Sequence, residues 1–242
     1  MKRLDQVLVE QGFFASRSQA QAAIAAGCVS VDGTQATRPA QSVPARAVIL
    51  AEPPHPWVSR AGVKLAHGLD AFGLSVAGAH CVDVGASTGG FTEVLLSRGA
   101  AHVVAVDVGR DQLHPRLRAD PRVSVCEATD ARSLTANELP VPPAWVVCDA
   151  SFIGLLKVLP MALSLTAPEA QAVVLFKPQF EVGPAHVGKG GIVSDRIAVD
   201  RAREEVTAGL VSLGWRVAGQ CESPITGGDG NREELLWLRR QP

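Results

Sequence analysis

Four charged residues stand at strand or helix positions expected to be apolar or to face a cleft. Lys64 follows WVSRAGV, Asp149 ends WVVCD, Lys177 ends VVLFK, and Glu233 sits in GNREELLW. Asp149 and Lys177 each terminate an apolar run of the kind that forms a buried strand, where a charge is costly unless it is paired. Lys64 also reads as a helix-surface lysine, and Glu233 as the partner of a neighbour. Brought into one cleft, two lysines and two carboxylates suit proton abstraction. An ordinary lysine, with a pKa near ~10.4, is protonated at pH 7. Burial and a second cation both push that value down.

A second constellation is a glycine-rich turn between two acid-tipped apolar stretches, Val82 to Val108. One run ends at Asp83, then come Gly85, Gly89 and Gly90, an amphipathic stretch, and a second run ending at Asp107. Strand, turn, helix, strand is the expected order, and open α/β sheets bind ligands at the carboxyl ends of their strands. An acid at the second strand tip is placed to accept from a ribose diol. The turn is not GxGxxG: Ser87 stands where the middle glycine would admit a pyrophosphate. A nicotinamide cofactor is therefore disfavoured.

The elements that position these residues alternate. Strands are expected near 80–84, 102–107, 122–126, 145–149, 172–177, 215–222 and 233–239, and helices near 61–72, 90–98, 110–118, 154–164 and 198–213. Such alternation predicts a mostly parallel sheet with helices on both faces. The last two strands, joined by a Pro- and Gly-rich loop, read as an antiparallel hairpin. A proline-rich stretch, Ala51 to Pro56, cannot be helical. We place a small module at 1–51, a linker at 52–60 and a large domain at 61–242.

In the small module Leu4, Val7 and Leu8 recur at helical spacing. Ser16 and Gln19 form a capping box for a second helix closed by Gly27. Cys28 to Gly33 alternates into an Asp-Gly turn, and Val48 to Leu50 read as a last strand.

The chain has 242 residues, 47% hydrophobic and 19% charged, enough for a sizeable core. Residues 1–64 hold seven Lys/Arg against four Asp/Glu, a mildly basic front suited to a polyanion. The five cysteines include no CxxC pair, so they read as apolar filler rather than metal ligands, and free thiols suit a reducing cytoplasm. No run approaches the ~20 apolar residues of a membrane span, and the opening MKRLDQVLVEQG lacks a signal-peptide core. Gly183 to Lys189 fits GxxxxGK, but Gly190 stands where a P-loop has Ser or Thr. That stretch reads instead as a lid.

The turn spacing resembles that of class I S-adenosylmethionine-dependent methyltransferases. That resemblance implies a Rossmann-like α/β fold with a seven-stranded, mostly parallel sheet. It puts Asp83, Gly85 and Gly89 beside the methionine part of the cofactor and Asp107 on the ribose. Ser87, Gly90, Phe91, Val108, Asp130 and Asp149 complete the implied cofactor set. RLDQVLVEQG, SRSQAQAAIAAG and VSVDG resemble the small α+β RNA-binding domain named after the fourth small-subunit ribosomal protein. Lys2, Arg3, Arg17 and Gln19 are its candidate RNA contacts, joined by Arg60 and Lys189 in the large domain.

The order Lys64, Asp149, Lys177, Glu233 resembles the tetrad of FtsJ-like ribose 2′-O-methyltransferases. WVSRAGVKL, VVCDASFIGL, FKPQFEVG, GGIVSD and GNREELLWL, with the N-terminal module, resemble the TlyA family over nearly the whole chain. Its members are ribosomal-RNA 2′-O-methyltransferases acting on cytidine, also labelled hemolysins. The resemblance implies ribosomal subunits as partners, S-adenosyl-L-methionine as cofactor and no metal. It implies Lys177 as base, oriented by Asp149, and Lys64 holding the 2′-oxygen, oriented by Glu233. Phe152 and Phe180 are placed either to stack a flipped base or to pack the core. The alternatives are a membrane-active hemolysin and an RNA-binding assembly factor without catalysis. Oligomeric state is not legible.

Overall fold

Residues 52–56, with three prolines, end the first of two units, Met1–Pro56 and Trp57–Pro242. The computed structural model describes residues 2–14, 16–139 and 141–241.

The first unit opens with β1 (Lys2–Arg3), α1 (Leu4–Glu10) and α2 (Arg17–Ala25). Ser16 caps α2 by accepting from the Gln19 N–H, and Gly27 ends it at positive φ. β2 (Val29–Val31) turns through Asp32 and Gly33, both left-handed, into β3 (Thr34–Gln35). β4 (Ser42–Val43) pairs with β1, and β5 (Ile49–Ala51) pairs with β2. Leu4, Leu8, Ala23, Ile24, Val29 and Val43 form its core.

The second unit is a seven-stranded sheet. In chain order it holds α3 (Ala61–Ala71), β6 (His80–Val84), α4 (Gly90–Ser97), β7 (His102–Val106), α5 (Pro115–Arg118) and β8 (Val123–Cys126). Then come β9 (Trp145–Cys148), α6 (Leu155–Val158), α7 (Pro160–Ser164), β10 (Gln171–Phe176) and α8 (Pro178–Glu181). It closes with α9 (Arg196–Ser212), β11 (Trp215–Glu222) and β12 (Glu234–Arg240).

The strand order is β11-β12-β10-β9-β6-β7-β8. Strands β6 to β10 run parallel, and β12 is antiparallel to both β10 and β11, the expected hairpin. The central strands are apolar on both faces, as a sheet covered by helices on both sides requires. Val82, Val146 and Val174 point into one core, and Cys81, Val147 and Val173 into the other. The chain runs outward from β6 to β8, then returns to β9 on the other side of β6. The carboxyl ends of β6 and β9 therefore flank the topological switch point, where such sheets bind ligands.

Two expected helices are shorter. The 110–118 stretch is helical only from Pro115, because the Glu127 carboxylate accepts the Asp111, Gln112 and Leu113 N–H groups in place of helical carbonyls. The 154–164 stretch breaks at Pro160, which has no N–H to donate and starts α7 instead.

Candidate active site

At the switch point the end of β6 turns at Gly85, φ +81. A Cβ there would come within 2.9 Å of the Ala150 Cα, so only glycine lets the ends of β6 and β9 approach this closely. Ser87 takes the left-handed conformation without being glycine, φ +47. Its N–H donates to Asp107 Oδ2 at 2.8 Å, while Gly109 N–H donates to Oδ1 at 2.7 Å. Two backbone donors thus fix the Asp107 carboxylate at the tip of β7.

Beside it lies a cavity of about 460 Å³ whose lining includes Val84, Gly85, Ser87, Asp107, Val108 and Asp130. A second cavity, about 370 Å³, is lined by Arg60, Lys64, Phe91, Asp149, Lys177 and Glu233, among others. Gly85, Ser87, Asp149, Ser151 and Phe152 line both, so the two cavities adjoin.

The second cavity holds two ion pairs. Lys64, on the buried face of α3, meets Glu233 at 2.5 Å, with side chains 10% and 2% exposed. Gly227 makes room, since a Cβ there would approach the Glu233 carboxylate to 2.5 Å. Lys177, at the end of β10, meets Asp149 Oδ1 at 2.6 Å, with side chains 7% and 13% exposed. The Lys177 ammonium also donates to the Asp149 carbonyl at 3.2 Å and to Ser151 Oγ at 2.9 Å. Buried charges persist only when paired and hydrogen-bonded in this way. Upstream, Glu93 on α4 accepts from the Val58 N–H at 2.5 Å and fixes the segment leading to Arg60.

Several expected contacts are placed otherwise. Asp83 lines neither cavity. It is fully buried, takes a hydrogen bond from Thr92 Oγ1 at 2.7 Å, and keeps Oδ1 buried without a partner. Burial pushes its carboxyl up to about 7. Gly89 and Gly90 are buried and line neither cavity. A Cβ on Gly89, φ +94, would run into Leu113 and Leu117, and one on Gly90 into Ser59 and Ala61. Packing alone therefore requires glycine at both positions. Asp130 lines the larger cavity, but both its oxygens hold the Arg132 guanidinium, which keeps its carboxyl down at about 2. Lys189 lies exposed on a loop of short 3-10 turns and lines neither cavity. No strand-to-helix turn forms there, so the loop lacks P-loop geometry. Asn231 clasps this loop, donating to the Gly191 carbonyl at 2.8 Å and accepting from the Val193 N–H at 2.9 Å.

In the first unit the basic residues expected to face RNA are engaged with carboxylates. Arg3 and Arg17 donate to Asp5 at 3.0 and 2.8 Å, and Gln21 adds a third donor at 2.8 Å. Asp5 has no exposed surface, and these donors, Arg3 foremost, hold its carboxyl well below the usual range. Lys2 pairs with Glu10 at 2.7 Å. Gln19 contributes its backbone N–H to the Ser16 cap. Among the described residues of this unit, Arg38 and Arg46 are the exposed arginines without a carboxylate partner.

Phe152 is 90% exposed, adopts φ +65, and sits 5.4 Å from the Phe180 ring. Of its two readings, core packing is excluded. A bulky residue held at positive φ is an outlier of the kind found at functional sites. Sequence reasoning passed over Ser151, Thr92 and Asn231. Asn231 was signalled by lying two residues before Glu233, and Ser151 by lying two after Asp149.

Among the described residues no group of metal-ligating side chains is assembled, and no helix is long and apolar enough to cross a membrane. The FtsJ-like methyltransferase family model matches residues 57–240, and the S4 domain model matches residues 2–49. The chain is 47% identical to the 16S/23S rRNA (cytidine-2′-O)-methyltransferase TlyA of Mycobacterium tuberculosis, over 99% of this chain and 90% of that one. It is 38% identical to Hemolysin A of Brachyspira hyodysenteriae, over 96% and 98% of the two chains. Among solved structures, a hemolysin-labelled chain from Streptococcus thermophilus superposes with a TM-score of 0.79 at 37% identity, over 99% of this chain and 88% of that one.

Proposed function

Because the chain belongs to the TlyA family, an S4 domain followed by an FtsJ-like methyltransferase, we propose that it methylates the ribose 2′-hydroxyl of cytidine in ribosomal RNA. The observation that carries this reading is the pair of buried ion pairs, Lys64–Glu233 and Lys177–Asp149, on the wall of one cavity. That cavity adjoins the one bordered by Gly85 and Asp107.

S-adenosylmethionine supplies an electrophilic methyl group when bound. The larger cavity fits it on two counts. Its volume lies in the range of small-molecule sites, roughly 300–1,000 Å³. Asp107 presents a fixed carboxylate for the ribose diol.

On the acceptor side, Lys177 takes the proton of the 2′-hydroxyl and Asp149 holds its Nζ in place. Lys64 positions the 2′-oxygen and stabilises its developing negative charge, with Glu233 fixing the Lys64 rotamer. Such fixed geometry contributes ~7–11 kcal/mol to barrier lowering in well-oriented systems. Phe152 stacks the base, and Arg60 at the cavity rim holds phosphate. Arg38 and Arg46 of the first unit add unspecific phosphate contacts. Ribosomal subunits as substrate place the activity in the cytoplasm.

The test is incubation of the full chain with methyl-labelled S-adenosylmethionine and purified ribosomal subunits, followed by alkaline cleavage mapping. Label at a position that resists alkali supports the reading. Label on a base, or none in RNA, overturns it.

A further inference from the structure

We propose that Ser151 is a positioning residue for Lys177: its hydroxyl completes the lysine's hydrogen-bond set and sets where Nζ points when the substrate hydroxyl arrives. The inference rests on the assignment of Lys177 as base.

Three oxygens lie close to Lys177 Nζ: Asp149 Oδ1 in ion-pair contact at 2.6 Å, and two hydrogen-bond acceptors, the Asp149 carbonyl at 3.2 Å and Ser151 Oγ at 2.9 Å. An ammonium has three N–H donors and no lone pair, whereas a neutral amine has a lone pair to offer. Two of these oxygens belong to Asp149, at the end of β9, and neither can donate. Ser151 differs in kind. A hydroxyl accepts from an ammonium and donates to a free amine. Once Lys177 is neutral, Ser151 can turn its O–H toward the lone pair, or release that lone pair to an incoming 2′-hydroxyl. The carboxylate and carbonyl cannot make this exchange.

Ser151 is exposed and lines both cavities. The exchange therefore takes place at their junction, where acceptor and methyl donor must meet. The charged groups sharing the Lys177 cavity are Arg60, Lys64, Asp149, Asp229 and Glu233. Ser151 is the neutral member of the set bonded to Lys177. Its removal takes one acceptor from the ammonium, which favours the neutral amine. It also leaves Nζ held by Asp149 alone.

The experiment compares wild type, Ser151→Ala and Ser151→Thr in single-turnover methyl transfer to ribosomal subunits over about pH 6 to 10. Cofactor and RNA affinities are measured alongside. For Ser151→Ala we expect a plateau rate lower by about tenfold or more, with the acidic limb of the profile moved to lower pH. Ser151→Thr restores both, and both affinities stay within about threefold of wild type. Three results overturn the proposal: a wild-type plateau and limb in Ser151→Ala, a rate loss matched by lost cofactor affinity, or no rescue by threonine. Lys177→Ala is the separate control. A wild-type rate in that variant removes the base assignment itself, whereas a slow Lys177→Ala beside an unaltered Ser151→Ala removes only the role of Ser151.

Discussion

Glu233 and Lys64 meet at 2.5 Å although 169 positions separate them in the chain. The contact ties the entry helix α3 to the approach of β12 and fixes an ammonium on the wall of the smaller cavity. Removing one partner strands a buried charge, which costs about 3–5 kcal/mol. Lys64→Met should therefore lower the thermal midpoint markedly. The double variant Lys64→Met, Glu233→Leu should recover much of that stability while leaving methyl transfer abolished. Thermal melts and transfer rates on the same preparations check this. Recovery of activity in the double variant would contradict the role of Lys64.

Gly85 sits at φ +81 with Ala150 closing behind it. Gly85→Ala introduces left-handed strain of about 1–2 kcal/mol and forces the β6 and β9 ends apart. Since both cavities share this residue, cofactor affinity should fall together with stability. Calorimetric binding of S-adenosylmethionine measures it. Unchanged affinity in a destabilised protein would show that the turn serves folding alone.

Asp83 makes stability depend on pH. Its carboxyl is pushed up to about 7 by burial, while an unfolded aspartate titrates near ~3.9. Between those values the folded state holds a proton that the unfolded state has lost, so stability falls as pH rises. The contribution is complete below about pH 4 and gone above about pH 7. Asp83→Asn is neutral throughout. Its advantage over wild type should grow from about pH 5 to 7, by at most about 1.4 kcal/mol per pH unit, and level off beyond. Paired denaturation curves test this, and a pH-independent difference would contradict it.

The first unit separates charge that builds the fold from charge left for a partner. Arg17 is bound to Asp5, whereas Arg38 and Arg46 have no carboxylate partner. Arg38→Ala and Arg46→Ala should each reduce the salt dependence of RNA binding by about 0.7–0.9 in log–log slope. Arg17→Ala should chiefly lower the stability of the unit. Equal slope changes for all three, with no loss of stability, would reverse this assignment.

The sheet was legible because its strands are continuous apolar runs ending in Asp83, Asp107, Asp149 and Lys177. Burial on both faces leaves that pattern in a sequence. Asp149 and Lys177 stood out for the same reason, as charges ending apolar runs, whereas Lys64 and Glu233 were singled out by the resemblance to the FtsJ-like tetrad. The paths of individual side chains were not legible. Asp83 looks like a ligand contact in the sequence, yet Thr92, nine residues on, draws it inward. Arg3 and Arg17 look free until Asp5 turns out to be enclosed between them. The irregular path of 110–114 depends on Glu127, which contacts it only once β8 is in place. Ser151 is one loop serine among many until the Lys177 ammonium is placed beside it.

The most direct test of the account is the single-turnover rate of 2′-O-methylcytidine formation in ribosomal RNA by Lys177→Ala, read by nucleoside mass spectrometry beside wild type. The account predicts wild-type formation of 2′-O-methylcytidine and a fall of about a hundredfold or more in the variant, with S-adenosylmethionine affinity within about threefold of wild type. A variant that forms the product at the wild-type rate, or a wild-type product methylated on the base, would contradict it.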